Sequence, residues 1–302
     1  MLAEFPRPRV PDGTLTVLVL GASGRLGRFL AAAWAAAPPE GVAVRWQWRR
    51  GAGGAGGPDR VIWDPLAAPV PEGAGPVDVV LDLAGVVRGA PQDLARNTDL
   101  ARAAWDAGLA LGARHVFLPS TGAVYGRGTG AWSEADPPAP ESDYARAKLE
   151  MERAARGWAA VPGAPGLTCL RMGNVAGADA LLAPLGRDPA REVVLDRFAD
   201  GQGPRRAYIG PLGLAAQLAR LVRRAGQGAP LPEVLNLAAP GVVAMADLLA
   251  AAGVHWHWRP APEGALPELA LDLGRLHALC PPAPSGAAAM VDEWRALRGA
   301  LE

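Results

Sequence analysis

The chain has 302 residues, 50% of them apolar and 20% charged, which excludes a disulfide-stapled miniprotein and an intrinsically disordered chain. Thirty basic residues balance thirty acidic ones, so there is no basic field to attract a nucleic-acid backbone or an anionic membrane. We therefore expect a globular protein that binds neither nucleic acid nor membranes.

The cysteines and the N-terminal residues indicate the cellular compartment in which the protein is expected. Cys169 and Cys280 form no disulfide framework, and neither has the neighbouring ligands of a zinc site. Residues 1–13 carry acid, arginine and proline ahead of any apolar stretch, and the following Ala-rich run stops at Pro38-Pro39, which is too short for a membrane span. These features predict a cytoplasmic protein without an export or anchoring signal.

The first part of the chain alternates short apolar runs with helical patterns. Helices are expected at 28–37 and 92–111, and another begins at Ser142-Asp143, whose side chains can cap its free amides. Strands separated by helices predict a parallel sheet that is doubly wound. The predicted strands of this sheet are 15–20, 42–48, 60–63, 77–83, 115–118 and 167–171.

The order is looser beyond Gly173. The apolar periodicity predicts three more helices and two more strands in this part. The helices are expected at 212–225, 245–252 and 286–301, and the strands at 234–237 and 254–258.

A glycine-rich turn follows the first predicted strand and opens the first helix. Its glycines, Gly21, Gly24 and Gly27, have the spacing that permits a tight turn and a close approach of the backbone to a pyrophosphate. The N-terminus of the helix then offers free N–H groups to the phosphates. The position of this turn predicts a nucleotide-cofactor site, with a purely structural turn as the alternative.

The residues after the second strand indicate which cofactor is bound. An acid about 20 residues beyond the glycines would hold the ribose of NAD, and none is present there. Arg49 and Arg50 stand at that edge instead and can clamp a 2′-phosphate. The sequence favours NADP over NAD, with an ordinary solvated arginine pair as the alternative.

A tyrosine and a lysine lie four residues apart in the helix that begins near Asp143. Lys148 is the one lysine among thirty basic residues, and the chain has three tyrosines, so chance places that lysine four residues after a tyrosine in roughly 1% of cases. The spacing puts Tyr144 and Lys148 on one helix face. A nearby cation lowers the pKa of a tyrosine, as a general acid/base near neutrality requires.

A hydroxyl that orients a substrate carbonyl is the expected third member of this site. Ser120 and Thr121 stand at the carboxyl end of the fifth strand, which is where ligands collect in an open α/β sheet. An ordinary polar strand end is the alternative.

Taken in chain order, these segments resemble the extended short-chain dehydrogenase/reductase family, the NAD(P)-dependent sugar-nucleotide epimerase/dehydratase group. The resemblance extends over nearly the whole chain. Besides the glycine turn, it rests on these segments: Asp82-Leu-Ala-Gly85, Asn97-Thr98, Ser120-Thr-Gly-Ala-Val-Tyr-Gly126, Tyr144 to Lys148, Leu170-Arg-Met-Gly-Asn-Val175 and Leu235-Asn-Leu237.

The resemblance implies a fold and a division of labour. The fold is α/β: a Rossmann-type doubly wound parallel sheet with a smaller C-terminal α/β substrate-binding subdomain. Residues 1–172 would form the NAD(P)-binding domain, and residues 173–302 would mainly bind the substrate, with some segments returning to the core.

The resemblance also assigns roles to residues. The catalytic residues would be Thr121, Tyr144 and Lys148, with Lys148 lowering the pKa of Tyr144 and holding the nicotinamide ribose. Substrate would be bound by Ser120, Thr121, Asn174 and Arg206. Cofactor would be bound by Gly21, Ser23, Gly24, Arg25, Leu26, Gly27, Arg49, Arg50, Asp64, Leu83, Ala84, Gly85 and Lys148.

Two departures from the family pattern narrow the activity. Gly122-Ala123 follow the threonine where sugar-nucleotide 4,6-dehydratases carry Asp-Glu, so the acid that would expel a hydroxyl is missing and a 4,6-dehydratase is disfavoured. Gly213 stands where an aspartate is usual in the stretch that begins at Tyr208.

The expected function is therefore hydride transfer at a carbinol or ketone carbon of a small molecule, which the family suggests is a nucleotide sugar. An epimerase and a carbonyl reductase both fit. The alternatives are a non-catalytic NADP-binding sensor or scaffold, and a structural protein that retains the fold without binding a cofactor.

Two further features are expected to play no part in catalysis. His255 and His257 share a strand face but lack a third ligand nearby, so no metal site is expected. Trp105 on the long helix is compatible with a helix-mediated homodimer and equally with a monomer core.

Overall fold

The computed structural model describes residues 13–49, 59–188 and 190–301. Its largest sheet has seven strands in the order β12-β7-β5-β4-β1-β2-β3, which is the strand order of a Rossmann fold. These strands are β1 (Leu15–Leu20), β2 (Val42–Trp48), β3 (Arg60–Ile62), β4 (Val79–Asp82), β5 (His115–Thr121), β7 (Gly166–Met172) and β12 (Val234–Leu237).

The sheet is parallel through its centre. Strand β1 pairs in parallel with β2 and with β4, β2 does so with β3, and β4 with β5. Residues 17–20, 79–81 and 116–118 are fully inaccessible to solvent, as expected for continuous apolar strands of a sheet that is covered on both faces. The predicted α/β fold class is confirmed.

Seven α-helices are found within the described residues. Their bounds are α1 (Arg25–Ala36), α2 (Pro91–Leu111), α3 (Asp143–Ala159), α4 (Pro211–Gly226), α5 (Met245–Ala252), α6 (Gly274–Leu279) and α7 (Ala287–Leu297). Ser142 caps α3 as the sequence predicts, because its Oγ accepts a hydrogen bond of 3.2 Å from the N–H of Ala145. None of the described helices combines the length and the apolar composition that a bilayer crossing would require.

Of the strands in the smaller sheets, the sequence predicted only the one at 254–258, which corresponds to β14. A four-stranded sheet has the order β13-β10-β15-β6, and two pairs, β11 with β8 and β14 with β9, stand separately. Their bounds are β6 (Ala131–Trp132), β8 (Asn174–Val175), β9 (Val193–Arg197), β10 (Arg205–Arg206), β11 (Tyr208–Ile209), β13 (Val243–Ala244), β14 (Trp256–Pro260) and β15 (Glu268–Leu271).

Three predicted bounds at or next to helix ends were wrong by two residues or more. Helix α1 begins at Arg25 rather than at residue 28, because Gly24 takes the extended conformation of an N-cap. The strand predicted at 254–258, β14, begins at Trp256 rather than at residue 254, because Val254 still donates to the Leu249 carbonyl in the left-handed C-cap of α5 around Gly253. The C-terminal helix ends at Leu297, and a tighter 3-10 turn, Arg298–Leu301, follows it.

The chain forms two compact units, each built from three segments. The first contains residues 1–119, 150–169 and 219–233, and the second contains residues 120–149, 170–218 and 234–302. The glycine turn belongs to the first unit, and Thr121, Tyr144 and Lys148 belong to the second. The functional division expected at residue 172 stays a prediction.

Candidate active site

The glycine turn of the first unit is closely packed against its own surroundings. Gly21 has a φ of 77°, and a Cβ on it would come within 2.6 Å of the N–H nitrogen of Ala84. A Cβ on Gly27 would collide with the carbonyl oxygen of Gly21. Glycine is therefore required at both positions, for backbone conformation at the first and for close contact of helix and turn at the second.

The beginning of α1 is suited to an anion. Its first intrahelical hydrogen bond runs from Arg28 N to Gly24 O, so the N–H groups of Leu26 and Gly27 have no acceptor within the helix. The first turn carries no acidic residue, and no side chain caps it. A pyrophosphate placed here would meet N–H donors and the positive end of the helix dipole, so these residues fit the predicted cofactor.

Gln47 is a residue of this region that the sequence reasoning missed. Its Oε1 accepts from the N–H of Gly21 at 2.9 Å, and its Nε2 donates to the carbonyl of Trp63 at 2.5 Å. A polar residue at a buried strand position is the signal that could have revealed it.

The predicted adenosine-side residues are only partly described. Arg49 is exposed directly after β2, whereas Arg50 lies outside the described residues. Asp64 is exposed, and its Oδ1 accepts a hydrogen bond of 3.1 Å from the N–H of Leu66. Leu83, Ala84 and Gly85 directly follow β4 at its carboxyl end.

The second unit brings the predicted catalytic hydroxyl and tyrosine together. Thr121 ends β5, its Oγ1 accepts a hydrogen bond of 3.2 Å from the N–H of Ala123, and its side chain is hydrogen-bonded to Tyr144. The contact lowers the pKa of Tyr144, so it favours the phenolate, as a donated hydroxyl proton does. Ser120, beside Thr121, is buried.

Burial is nevertheless the larger influence on Tyr144 and raises the pKa of its phenol to about 12. The lowered pKa implied by the resemblance is therefore not a property of this structure. Lys148 follows one turn later on α3 and is 3% exposed. The two residues hold the predicted positions on the helix.

Asn174 belongs to a hydrogen-bonded group on the paired strands β8 and β11. Its side chain is hydrogen-bonded to Tyr208, its partner across the strands, and Tyr208 donates to Oδ2 of Asp179 at 2.7 Å. Burial raises the pKa of both Tyr208 and Asp179. The sequence reasoning did not single out the carboxyl group of Asp179.

Arg206 holds a neighbouring loop through part of its guanidinium. Nη1 donates to the carbonyls of Arg205 at 2.7 Å and Pro267 at 3.1 Å, and Nη2 donates to the carbonyl of Leu266 at 2.7 Å. The Nε edge makes no hydrogen bond to any other described residue. A guanidinium fixed in this way retains one edge for a phosphate or carboxylate.

The missing aspartate at Gly213 is replaced from elsewhere in the chain. Oε2 of Glu293, on α7, accepts from the N–H groups of Leu212 and Gly213, each at 2.9 Å. An acid therefore does stand at the N-terminus of α4, but it is contributed by a helix about eighty residues further along the chain.

Comparison with solved structures relates this fold to sugar-nucleotide enzymes. A UDP-glucose-4-epimerase from Stenotrophomonas maltophila, with bound NAD and formylated UDP-arabinopyranose, is 20% identical, with a TM-score of 0.77 over 94% of this chain and 98% of the other. The NAD-dependent NDP-hexosamine 5,6-dehydratase TunA, involved in tunicamycin biosynthesis, is 22% identical, with a TM-score of 0.74 over the same shares.

A third structure carries a different activity. The dTDP-glucose 4,6-dehydratase DesIV from Streptomyces venezuelae is 19% identical, with a TM-score of 0.70 over 94% of this chain and 98% of the other. At these identities the likeness shows the fold, which epimerases and dehydratases share.

The family itself is established by sequence. No curated protein matches the chain, but a family model matches residues 17–198, more than half of it. That stretch includes the glycine turn, Thr121, Tyr144 and Lys148. The chain therefore belongs to the NAD dependent epimerase/dehydratase family.

Proposed function

We propose that this protein is an NADP-dependent epimerase or carbonyl reductase that acts at a carbinol or ketone carbon of a nucleotide sugar. The observation that carries the proposal is the hydrogen bond between Thr121 and Tyr144, with Lys148 buried one turn later on the same helix. A protein that only sensed a nucleotide would need no ordered phenol at this position.

The residues of the first unit support a dinucleotide cofactor. Leu26 and Gly27 offer N–H donors to a pyrophosphate, and Gly21 keeps the turn free of side chains. Exposed Arg49 supplies positive charge directly after β2, and no acid is found there to hold a ribose. These features support NADP, whereas the structural relatives named above are complexes or enzymes of NAD.

Tyr144 and Thr121 provide the acid/base chemistry. The Tyr144 Oη holds the proton that is exchanged with the substrate oxygen, and the Thr121 hydroxyl stabilises the phenolate by donating to it. A bound nicotinamide would supply the hydride acceptor and donor. Lys148 adds a positive charge on the same helix face.

Residues of the second unit support an anionic substrate. Arg206 is held by three carbonyl oxygens with its Nε edge left for a phosphate. Asn174 adds an amide that is already oriented by Tyr208. The absence of Asp and Glu after Thr121 favours epimerisation or reduction over 4,6-dehydration.

The test begins with the cofactor. Purified protein is denatured and the released nucleotide identified, and NADPH and NADH are then titrated into empty protein while energy transfer from tryptophan is followed. We expect NADPH to bind more tightly than NADH. Binding of neither nucleotide would contradict the proposal.

Turnover is tested with UDP-glucose, UDP-galactose and their 4-keto forms. A product epimer formed from the UDP-hexose with NADP+, without net change in the redox state of the nucleotide, identifies an epimerase. Stoichiometric oxidation of NADPH by a 4-keto form identifies a reductase, and loss of water would show that a dehydratase had been wrongly disfavoured. In Tyr144→Phe we expect kcat to fall at least about 100-fold, because the transferable proton is gone.

Tyr125→Phe is the matched control for that variant. It also removes a buried tyrosine hydroxyl, which donates to Oδ1 of Asn236 at 2.8 Å, and it should lower stability while leaving kcat within about twofold. Equal turnover in Tyr144→Phe and wild-type protein would overturn the assignment of Tyr144 as acid/base.

A further inference from the structure

A buried amide lies between two of the predicted cofactor segments. Gln47 is the one fully buried residue of β2 and is 3% exposed. Both ends of its amide are satisfied, by the N–H of Gly21 at 2.9 Å and by the carbonyl of Trp63 at 2.5 Å. We call this arrangement the amide bridge: Gly21 N–H to Gln47 to Trp63 carbonyl.

The two ends of the amide bridge belong to different turns. Gly21 is the first glycine of the turn that leads into α1, where a pyrophosphate would lie. Trp63 directly follows β3 and precedes Asp64, and its Nε1 donates to the carbonyl of Ala68 at 2.7 Å. Gln47 therefore joins the pyrophosphate turn to the turn that carries Asp64, through one side chain.

Glutamine meets both requirements of this position. The Gly21 N–H needs an acceptor and the Trp63 carbonyl needs a donor, and one neutral amide supplies both. An ionised glutamate would supply the acceptor but present a second oxygen to a carbonyl. Methionine, which has nearly the same shape, would leave both backbone groups without a partner, and an unpaired buried group is costly.

We propose that Gln47 is a positioning residue for the dinucleotide, which fixes the turn at Gly21 relative to the turn at Asp64 before the cofactor arrives. The inference rests on the proposed cofactor site. A dinucleotide that contacts both turns binds most tightly when both are already ordered, because ordering them on binding would cost affinity. Loss of the amide bridge should therefore weaken dinucleotide binding even where the fold survives.

The test compares Gln47→Met with Gln217→Met in the titrations of NADPH and NADH described above. Gln217 is an equally buried glutamine in the second unit, and its Nε2 donates to the Pro281 carbonyl at 2.7 Å. We expect Gln47→Met to raise both Kd values about tenfold. Gln217→Met should lower the unfolding temperature comparably and leave both Kd values within twofold.

Hydrogen exchange keeps the test decisive if Gln47→Met folds poorly. Gln47→Glu retains the acceptor, and at a pH that ionises the carboxyl it has no donor. It should then protect the Gly21 amide from exchange and still weaken nucleotide binding through the lost Trp63 contact. Unchanged Kd values in either folded Gln47 variant would overturn the inference alone. Failure of wild-type protein to bind either nucleotide would instead overturn the proposed function.

Discussion

At the scale of single residues, burial shifts the pKa values of two side chains in opposite directions, and each shift favours the neutral form. It raises the pKa of Tyr144 to about 12, which favours the neutral phenol, and it lowers the pKa of His115 to about 4, which favours the neutral imidazole. For Tyr144 the consequence is that the phenol keeps its proton near neutral pH. For His115 the consequence is a pH-dependent stability.

The neighbours of His115 fix its tautomer. The Thr168 hydroxyl donates its one proton to the Pro232 carbonyl at 2.8 Å. The 2.9 Å contact between His115 Nε2 and Thr168 Oγ1 therefore requires the proton to be on Nε2. His115 is thus a neutral donor inside the first unit, and protonation would place a charge on a side chain that is only 6% exposed.

We predict that stability falls as the pH drops from about 6.5 to about 4. In that range the unfolded chain protonates His115 at its usual pKa of 6.5 while the folded protein does not, so proton binding favours unfolding. Between pH 7 and pH 5 the contribution is about 2 kcal/mol. The measurement is the free energy of unfolding in urea at both pH values.

His115→Gln should flatten this dependence, because glutamine can donate to Thr168 without titrating. His277→Gln, at an exposed histidine, is the control and should leave the dependence as in wild-type protein. A dependence equally steep in His115→Gln and wild-type protein would show that other groups cause it.

Sequence reasoning found the residues whose chemistry is visible in their type and spacing. The placement of Tyr144 and Lys148 on one helix face and of Thr121 at a strand end could be predicted, because a helix places residues four apart on one face and a strand end collects polar groups. Their catalytic roles stay predictions. Gln47 and Glu293 were missed because each acts on a segment distant in sequence, so no local pattern contains both partners. The sequence predicted a lowered pKa for Tyr144, whereas the structure raises it. The reason is burial, which depends on the whole fold and is not visible in local spacing.

At the scale of elements, the junction of α7 with α4 shows how the chain compensates for a departure from its family. The carboxylate of Glu293 accepts from two N–H groups at the start of α4. Gly210, just before that helix, leaves room for it, since a Cβ there would collide with the carboxylate. The Glu293 carboxylate therefore depends on Gly210 for space and on the N–H of Gly213 as one of its donors.

We predict that Glu293→Ala lowers the free energy of unfolding by about 1–2 kcal/mol. Two N–H groups lose their acceptor, and the positive end of the α4 dipole loses the negative charge beside it. Glu293→Gln should cost about half as much, since it retains an acceptor oxygen. Urea denaturation checks both values. Asp292→Ala, at an exposed neighbour on the same helix, should change stability by less than about 0.5 kcal/mol.

Helices and strands were predicted well where a long apolar period determines them. They were predicted poorly where a few residues form a strand only by pairing with a distant segment. The strands of the large sheet and helices α2 to α5 were found because buried runs and amphipathic periods extend over many residues. The two-residue strands β8, β10, β11 and β13 were not found, because pairing with a distant segment defines them and no period fits in two residues.

At the scale of the whole molecule, the proposed cofactor should stabilise the folded chain. Binding that is restricted to the folded state adds about 3 kcal/mol at a hundredfold excess over Kd, and we expect the unfolding temperature to rise by several degrees with NADPH. The measurement is a thermal unfolding curve with and without nucleotide.

Gly27→Ala provides the comparison for this shift, because its methyl group would collide with the Gly21 carbonyl and distort the turn. The nucleotide-dependent rise should be lost in this variant, whatever its own unfolding temperature. A rise of the same size in Gly27→Ala would place the nucleotide elsewhere on the protein.

The path of the chain through its two units limits how the protein can be rearranged. The chain passes from one unit to the other after residues 119, 149, 169, 218 and 233. A single genetic crossover with a relative would therefore mix parental segments inside at least one unit. Chimeras that exchange the whole second unit must transplant three segments together, and a fragment ending at residue 172 would lack the last segment of the first unit.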